Sequence, residues 1–410
     1  MKFGLFYEHQ LPRPWGPDSE FNRFQQALDQ VELADKVGID YVWLVEHHFL
    51  EEYAHSSAPE IFLAGCSQRT SKIRLGHGIV ALPTPYNHPA RVAERISTLD
   101  LISNGRVEFG TGETSADAEL FAFHVQREEK QAMWLESLEV VTRMLVEEPF
   151  KGHEGKYLNF PVRNIIPKPR QKPHPPLWVA CSRLETIKLA ARLGLGALTF
   201  GFVSPDEARK WSEEYYRVLA EECVPIGASI NPNIAFTMLF LCGSNQQRAR
   251  QLGPEHCFFM TYAFGHHYLY GEHEPGKTSV WDKYKATPGA GVGIAGTSGV
   301  CFGTPAEARE AFRVWEDTGI DQIMLLTQCG DMPHDATCES IELLGREVMP
   351  EFREREERRM REKAARVEPI IERAMKRKKA PRLPKSSGPT IIKAVGGYGG
   401  IIPGISDKPA

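Results

Sequence analysis

The chain has 410 residues, 42% of them hydrophobic and 25% charged, with a formal net charge of −4 at pH 7. That length admits one large α/β domain or two smaller ones, and the mixed charge lacks the basic bias of a nucleic-acid binder. No apolar run approaches the ~18 residues of a membrane span, and Glu8 breaks the first apolar segment too early for a secretion signal, so a cytoplasmic protein without membrane contact is expected.

In chain order, residues 2–8 read as a strand. Residues 21–37 read as a helix, with Phe24, Leu28, Val31 and Ala34 at helical spacing and Gly38 as its stop. Residues 40–45 form the second strand, 59–70 a helix, 73–82 the third strand, 89–102 a helix, 106–110 the fourth strand and 128–147 a long helix. Residues 149–176 are broken by prolines and glycines and read as a connecting excursion with a small hairpin. Strands at 177–181, 197–202, 234–242 and 322–326 follow, alternating with helices. Ser204-Pro205 and Thr304-Pro305 open two of these helices with a capping hydroxyl, proline and early acids. The last helix spans 335–349. The eight cysteines are scattered without a CxxC pair, which reads as reduced thiols, mostly in small core positions.

One punctuation recurs. Gly38, Gly194 and Gly319 each end a helix, and an apolar strand begins within three residues. Such short loops belong to repeated β-α units with parallel strands. Eight units in roughly 350 residues predict an α/β fold, a (β/α)8 TIM barrel. A doubly wound sheet would need a phosphate-binding glycine loop after the first strand, and Tyr7-Glu8-His9-Gln10-Leu11-Pro12 is not one. The expected organisation is a barrel over 1–350, with an aromatic, His-rich insertion at about 245–300 after the seventh strand. A charged helical extension at 351–379 and a disordered Pro/Gly/Lys-rich tail at 380–410 follow.

In such a barrel the chemistry sits at the C-terminal ends of the strands. The second strand ends in Glu46, His47 and His48. Side chains alternate along a strand, so Tyr41, Trp43, Val45 and His47 share one face, and Val42, Leu44, Glu46 and His48 the other. The histidines are either functional or a structurally bonded strand end. A metal pair is disfavoured, because adjacent histidines diverge and no partner set has ligand spacing. The fourth strand ends in Gly110-Thr111-Gly112-Glu113-Thr114-Ser115, which permits close backbone approach to an anion or is only a tight turn. Ser182 and Arg183 precede a helix whose N-terminal N–H groups attract phosphate. Cys181 reads as a buried thiol, and the aromatics of 258–270 read as core, interface or substrate wall.

Several stretches carry a family likeness: Met1-Lys2-Phe3-Gly4, Trp43-Leu44-Val45-Glu46-His47-His48-Phe49, His88-Pro89-Ala90-Arg91, Ser103-Asn104-Gly105-Arg106 through Gly110, and Gly303-Thr304-Pro305. With these the chain resembles the bacterial luciferase-like flavin-dependent monooxygenases. The resemblance implies a (β/α)8 barrel, reduced FMN from a separate flavin reductase, O2, and a small organic substrate oxidised through a C4a-peroxyflavin; the aromatic insertion points to an apolar or ring-containing one. It places the catalytic histidine at His47, with His48 in support. It implies a non-proline cis peptide beneath the flavin ring around Gly78 to Ala81, with Gly78, Ile79 and Val80 binding the cofactor. It sets the phosphate between Gly112, Thr114 and Ser115 on one side and Ser182 and Arg183 on the other. Family members pair as homodimers. The same fold also serves F420-dependent hydride transfer, the alternative reading, and a flavin-binding protein without catalysis is a second. Glu113 stands where the family pattern has arginine. A carboxylate there repels phosphate, and Arg183 is the expected replacement cation.

Overall fold

The computed structural model of the chain describes residues 1–295 and 299–384. Eight parallel strands close a barrel: β1 (Lys2–Tyr7), β2 (Tyr41–Leu44), β3 (Arg74–His77), β4 (Val107–Gly112), β5 (Leu177–Cys181), β6 (Gly196–Thr199), β7 (Ile234–Cys242) and β8 (Gln322–Leu326). Each pairs with its neighbour in sequence, and β8 returns to β1 with Gln322 opposite Lys2. This is the expected (β/α)8 architecture. No helix among the described residues is long and apolar enough to cross a membrane.

The strand alternation sorts side chains into two cores. Val42 and Leu44 join the layer between barrel and helices. Trp43 and Val45 join Phe6, Leu198, Leu239 and Met324 inside the barrel. Two tryptophans fill the lower interior, Trp43 edge-on to Trp178 with ring centroids 5.3 Å apart. Trp43 Nε1 donates to Gln322 Oε1 at 2.9 Å and Trp178 Nε1 to Glu108 Oε2 at 2.7 Å, so neither indole is left with an unmet donor. Glycine makes the room: a Cβ on Gly76 would lie 2.1 Å from the Trp43 ring. Gly76→Ala is therefore expected to overpack this layer and lower stability by about 1–3 kcal/mol, measured by urea unfolding. This plug fills the lower half of the barrel and leaves the space above it at the C-terminal ends of the strands.

Four elements differ from expectation. The third strand does not run unbroken over 73–82. It bonds to β2 as far as Gly78, whose N–H donates to Leu44 O at 2.7 Å, then resumes as Val80–Ala81 against β4. The step between partners lets Gly78 and Ile79 face the barrel mouth. A short helix, Asp117–Ala122, follows β4 where only a loop was expected. The insertion is helical (Gln246–Leu252, Phe258–Gly265, Val280–Lys285 and Val292–Ala295) and leads into a further short strand, Val300–Gly303, beside the upper half of β7. The insertion turns glycine-rich from Gly289 to Gly299, and residues 296–298 of that stretch lie outside the described residues. Finally, the helix starting at His334 does not stop near 349. It passes through one π turn into Met349–Lys376, which crosses the floor of the barrel. Lys363 there reaches Asp321 at 2.7 Å, just before β8, and Phe352 is fully buried. The tail beyond residue 384 lies outside the described residues.

Candidate active site

Above the tryptophan plug a cavity of about 610 Å³ opens at the C-terminal ends of the strands, within the range of small-molecule sites. Its middle is apolar, walled by Phe6, Ile79, Val179, Phe200, Phe202 and Leu326. The insertion covers it with Met260, Phe264 and Tyr268. That cover is docked by Glu52, buried, whose carboxylate accepts the N–H groups of Val280 and Trp281.

At one end of the cavity sits His47. Its backbone N–H donates to Ser56 O at 2.9 Å, and Ser56 Oγ donates to Val45 O at 2.7 Å, which fixes the strand end. The ring lies between two carboxylates. Nδ1–H donates to Glu119 Oε1 at 3.1 Å, with the Tyr268 hydroxyl 3.3 Å away. Nε2 lies 3.7 Å from Glu8 Oε2. Burial opposes a charge on His47, but the adjacent Glu119 carboxylate outweighs it, with help from Glu8 and Glu46, and lifts the imidazole to about 9. Glu119 is buried too, yet the His47 charge and its hydrogen bonds hold it below the usual carboxylate range. Burial pushes Glu8 up to about 7 against the pull of His47 and Tyr53. At neutral pH this end therefore holds an imidazolium–carboxylate pair and a second carboxyl that is close to half-protonated. Such a set can hold or pass a proton at Nε2.

His48 points elsewhere. Its Nε2 meets Glu46 Oε1 at 3.2 Å and its ring packs edge-on against Phe123; it does not line the cavity. Glu46 also accepts the Ala81 N–H at 2.9 Å and the Asn87 side-chain amide at 2.8 Å, so it clamps the chain just after the break in the third strand. Cys181 lines the cavity, but burial pushes its thiol up to about 12, which leaves it protonated and inert.

The far end of the cavity is polar. Gly112, Glu113, Thr114 and Ser115 come from β4 and its loop, Ser182, Arg183 and Thr186 from the start of the helix Leu184–Leu193, and Arg127 and Lys130 from the segment that opens the helix Lys130–Val146. Thr114 has φ +51, a left-handed conformation that costs a non-glycine residue energy. Its hydroxyl donates to Glu119 and its carbonyl accepts from Lys130 at 2.7 Å, so both ends of the cavity hold it there.

The family described as luciferase-like monooxygenase matches residues 1–322. The chain belongs to this family. Limonene 1,2-monooxygenase of Rhodococcus erythropolis is 33% identical over 215 residues, 49% of this chain and 51% of that protein. The oxygenase component of the flavin-dependent trigonelline monooxygenase of Acinetobacter baylyi is 26% identical over 199 residues, 47% of this chain and 52% of that protein. The chain thus spans about half the length of these curated relatives. Among solved structures, monooxygenase RslO1 of Streptomyces bottropensis superimposes with a TM-score of 0.71 at 26% identity, covering 86% of this chain and all of that one.

Of the positions that the luciferase-like pattern marks, His47 lines one end of the cavity, and Gly78 and Ile79 line its wall. Gly112, Thr114, Ser115, Ser182 and Arg183 line its polar end. Val80 does not: its side chain is buried in the layer between barrel and helices, because the short strand Val80–Ala81 turns it outward. The non-proline cis peptide expected around Gly78 to Ala81 is not present. All four cis bonds among the described residues precede proline, and the chain makes its step at Gly78, where a Cβ would come 2.9 Å from Phe6. Arg183 is exposed at the rim, whereas Lys130, not singled out from the sequence, sits inside and pairs with Glu113 at 3.3 Å. Glu119 and Lys130 are the residues that sequence reading missed, and Tyr268, one of the aromatics of 258–270, lines the cavity as a wall. The acids Asp117 and Glu119 after Ser115 were a signal for the start of the short helix.

Proposed function

We propose that this protein is a flavin-dependent monooxygenase that uses reduced FMN and O2 to oxidise a small, mostly apolar organic substrate. The observation that carries this reading is one cavity with three different parts: a proton-bearing His47 at one end, cations and hydroxyls at the other, and apolar walls between. The fit can be judged from the residues present. Phe200, Ile79 and Val179 suit a flat ring system, and Thr114, Ser115, Ser182, Arg183 and Lys130 suit its phosphate. Glu113 is the one misfit, and it already has a cation beside it. Bound reduced flavin would supply the two electrons by which one oxygen atom of O2 leaves as water while the other enters the substrate.

The chain's own contribution is positional. His47 holds a proton at Nε2 toward the cavity, Glu119 keeps the ring charged and oriented, and Met260, Phe264 and Tyr268 exclude water beneath the insertion. The similarity to an oxygenase component supports a separate flavin reductase as the source of reduced cofactor. Exposed Ile61, Leu101 and Ile102 on the adjacent helices Pro59–Arg69 and Pro89–Ile102 support the homodimer, and a cytoplasmic setting completes the reading.

Glu8 favours one alternative. A buried carboxyl titrating near neutrality beside His47 could accept the proton of an alcohol, as F420-dependent hydride transfer requires. Anaerobic titration with reduced FMN and with reduced F420, followed by mixing with oxygen and candidate apolar substrates, decides between them. The monooxygenase reading expects reduced FMN to bind and oxygen uptake to be coupled to an oxygenated product. Binding of F420 alone, with no oxygen uptake, would replace it.

A further inference from the structure

The polar end of the cavity carries an unusual charge arrangement. Glu113 follows Gly112 directly and faces the cavity, and its Oε2 is buried without a hydrogen-bond partner. Its Oε1 lies 3.3 Å from Lys130 Nζ, which also donates to Thr114 O at 2.7 Å. An ammonium has three donors, so these two partners leave one for a ligand. The other two cations are placed differently. Arg127 is engaged by Asp117 and by Ser115 O at 3.2 Å. Arg183 is exposed, and among the described residues it makes no ion pair. An exposed charge is screened by salt, whereas the Lys130 side chain is only 14% exposed and acts through a less polar surrounding.

We propose that Lys130 is the residue that neutralises the cofactor's phosphate, and that Glu113 competes for the same ammonium and thereby sets how tightly a phosphorylated flavin is held. This rests on the flavin reading above. Glu113 and Lys130 are matched in charge, as are Asp117 and Arg127, which leaves one net positive charge, on Arg183. A phosphate dianion brought into that balance takes the free donor of Lys130 and must share the ammonium with Glu113. Phosphate binding is thus opposed by the carboxylate, and the pair lowers affinity for the phosphorylated cofactor without touching the ring-binding walls. Loose holding suits a cofactor that arrives reduced from elsewhere and departs oxidised.

The test compares reduced FMN with reduced riboflavin, which lacks the phosphate, by anaerobic equilibrium dialysis against native protein, Lys130→Met, Glu113→Gln and Arg183→Ala. Lys130→Met should weaken FMN binding by about tenfold or more, the worth of a hydrogen bond to a charged group, and leave riboflavin binding unchanged. Glu113→Gln should tighten FMN binding by roughly threefold to tenfold, again with riboflavin unchanged. Arg183→Ala should have a smaller effect that vanishes at high salt. Unchanged riboflavin binding serves as the check that each variant is folded. Lys130→Met with the native ratio of FMN to riboflavin affinity, or Glu113→Gln with weakened FMN binding, overturns the role of the pair. Native protein that binds neither flavin overturns the cofactor reading itself, and the pair's role falls with it.

Discussion

Replacing His47 by glutamine is expected to lower product formation by about 10²–10⁴-fold, the usual contribution of a positioned acid–base group. Glutamine is the informative choice. Its amide can still donate to Glu119, which takes the Nδ1–H bond at 3.1 Å in the native site, so the buried carboxylate keeps a partner. What is lost is the proton that His47 carries at Nε2. Product yield per oxygen consumed, with reductase in excess, measures the effect, and cooperative thermal unfolding of the variant checks that it is folded. Normal product yield in the folded variant would remove His47 from the chemistry.

Glu119→Gln should act on the same histidine from behind. The carboxylate is the strongest influence holding His47 at about 9 against burial. The native His47 pKa is raised above its unfolded value near 6.5, so the stability it contributes is fully present below that value and is lost as pH rises through about 9. Glu119 is shifted the other way, and its contribution is lost as pH falls through its depressed folded value. Between those limits the pair stands as two charges, and removing one leaves the other buried without it, at a cost of up to about 3–5 kcal/mol. The high-pH limb of the activity profile should also move from about 9 toward neutrality. Glu8 and Glu46 then remain as the carboxylates acting on His47. Denaturant unfolding at pH 7 and the pH dependence of turnover measure the two effects. An unmoved high-pH limb would show that His47 is not the group that limits the rate there.

Much of the architecture could be read from the residues, because it is written in local patterns. Gly38, Gly194 and Gly319 mark helix ends with nothing but their own backbone freedom. The alternation from Tyr41 to His47 put Trp43 inside the barrel and His47 at its mouth, since a strand leaves a side chain only two directions. The step at Gly78 was missed because apolar residues continue past it, from Ile79 to Leu82. The change is one of hydrogen-bond partner, which composition does not record. The pairing of His47 with Glu119 was out of reach for a different reason. Both are ordinary residues in their local sequence, and only closure of the barrel brings β2 beside the loop that follows β4. Lys130 was hidden in the same way, on a helix start that periodicity marks but cannot aim. The Arg183 assignment came from likeness to a pattern whose arginine this chain lacks, and the structure offers a better-shielded cation.

The long helix Met349–Lys376 has a consequence for the order in which the molecule can assemble. Its anchors Glu316 and Asp321 lie just before β8, its Glu356 reaches the amino group of Met1 and Lys2 at the start of β1, and β8 pairs with β1 from the other end of the sequence. Until that pairing forms, β1 presents an unpaired edge, open to the wrong partner, and the contact it awaits is among the most distant in the chain. Such contacts form slowly. The floor-crossing helix can find its seat only once β1 and β8 have met, and from then on its ion pairs must break before the seam can reopen. It works as a latch on the last seam of the barrel, and shortening the chain before Phe352 should leave the interior able to form but slow to close and prone to aggregate while it waits.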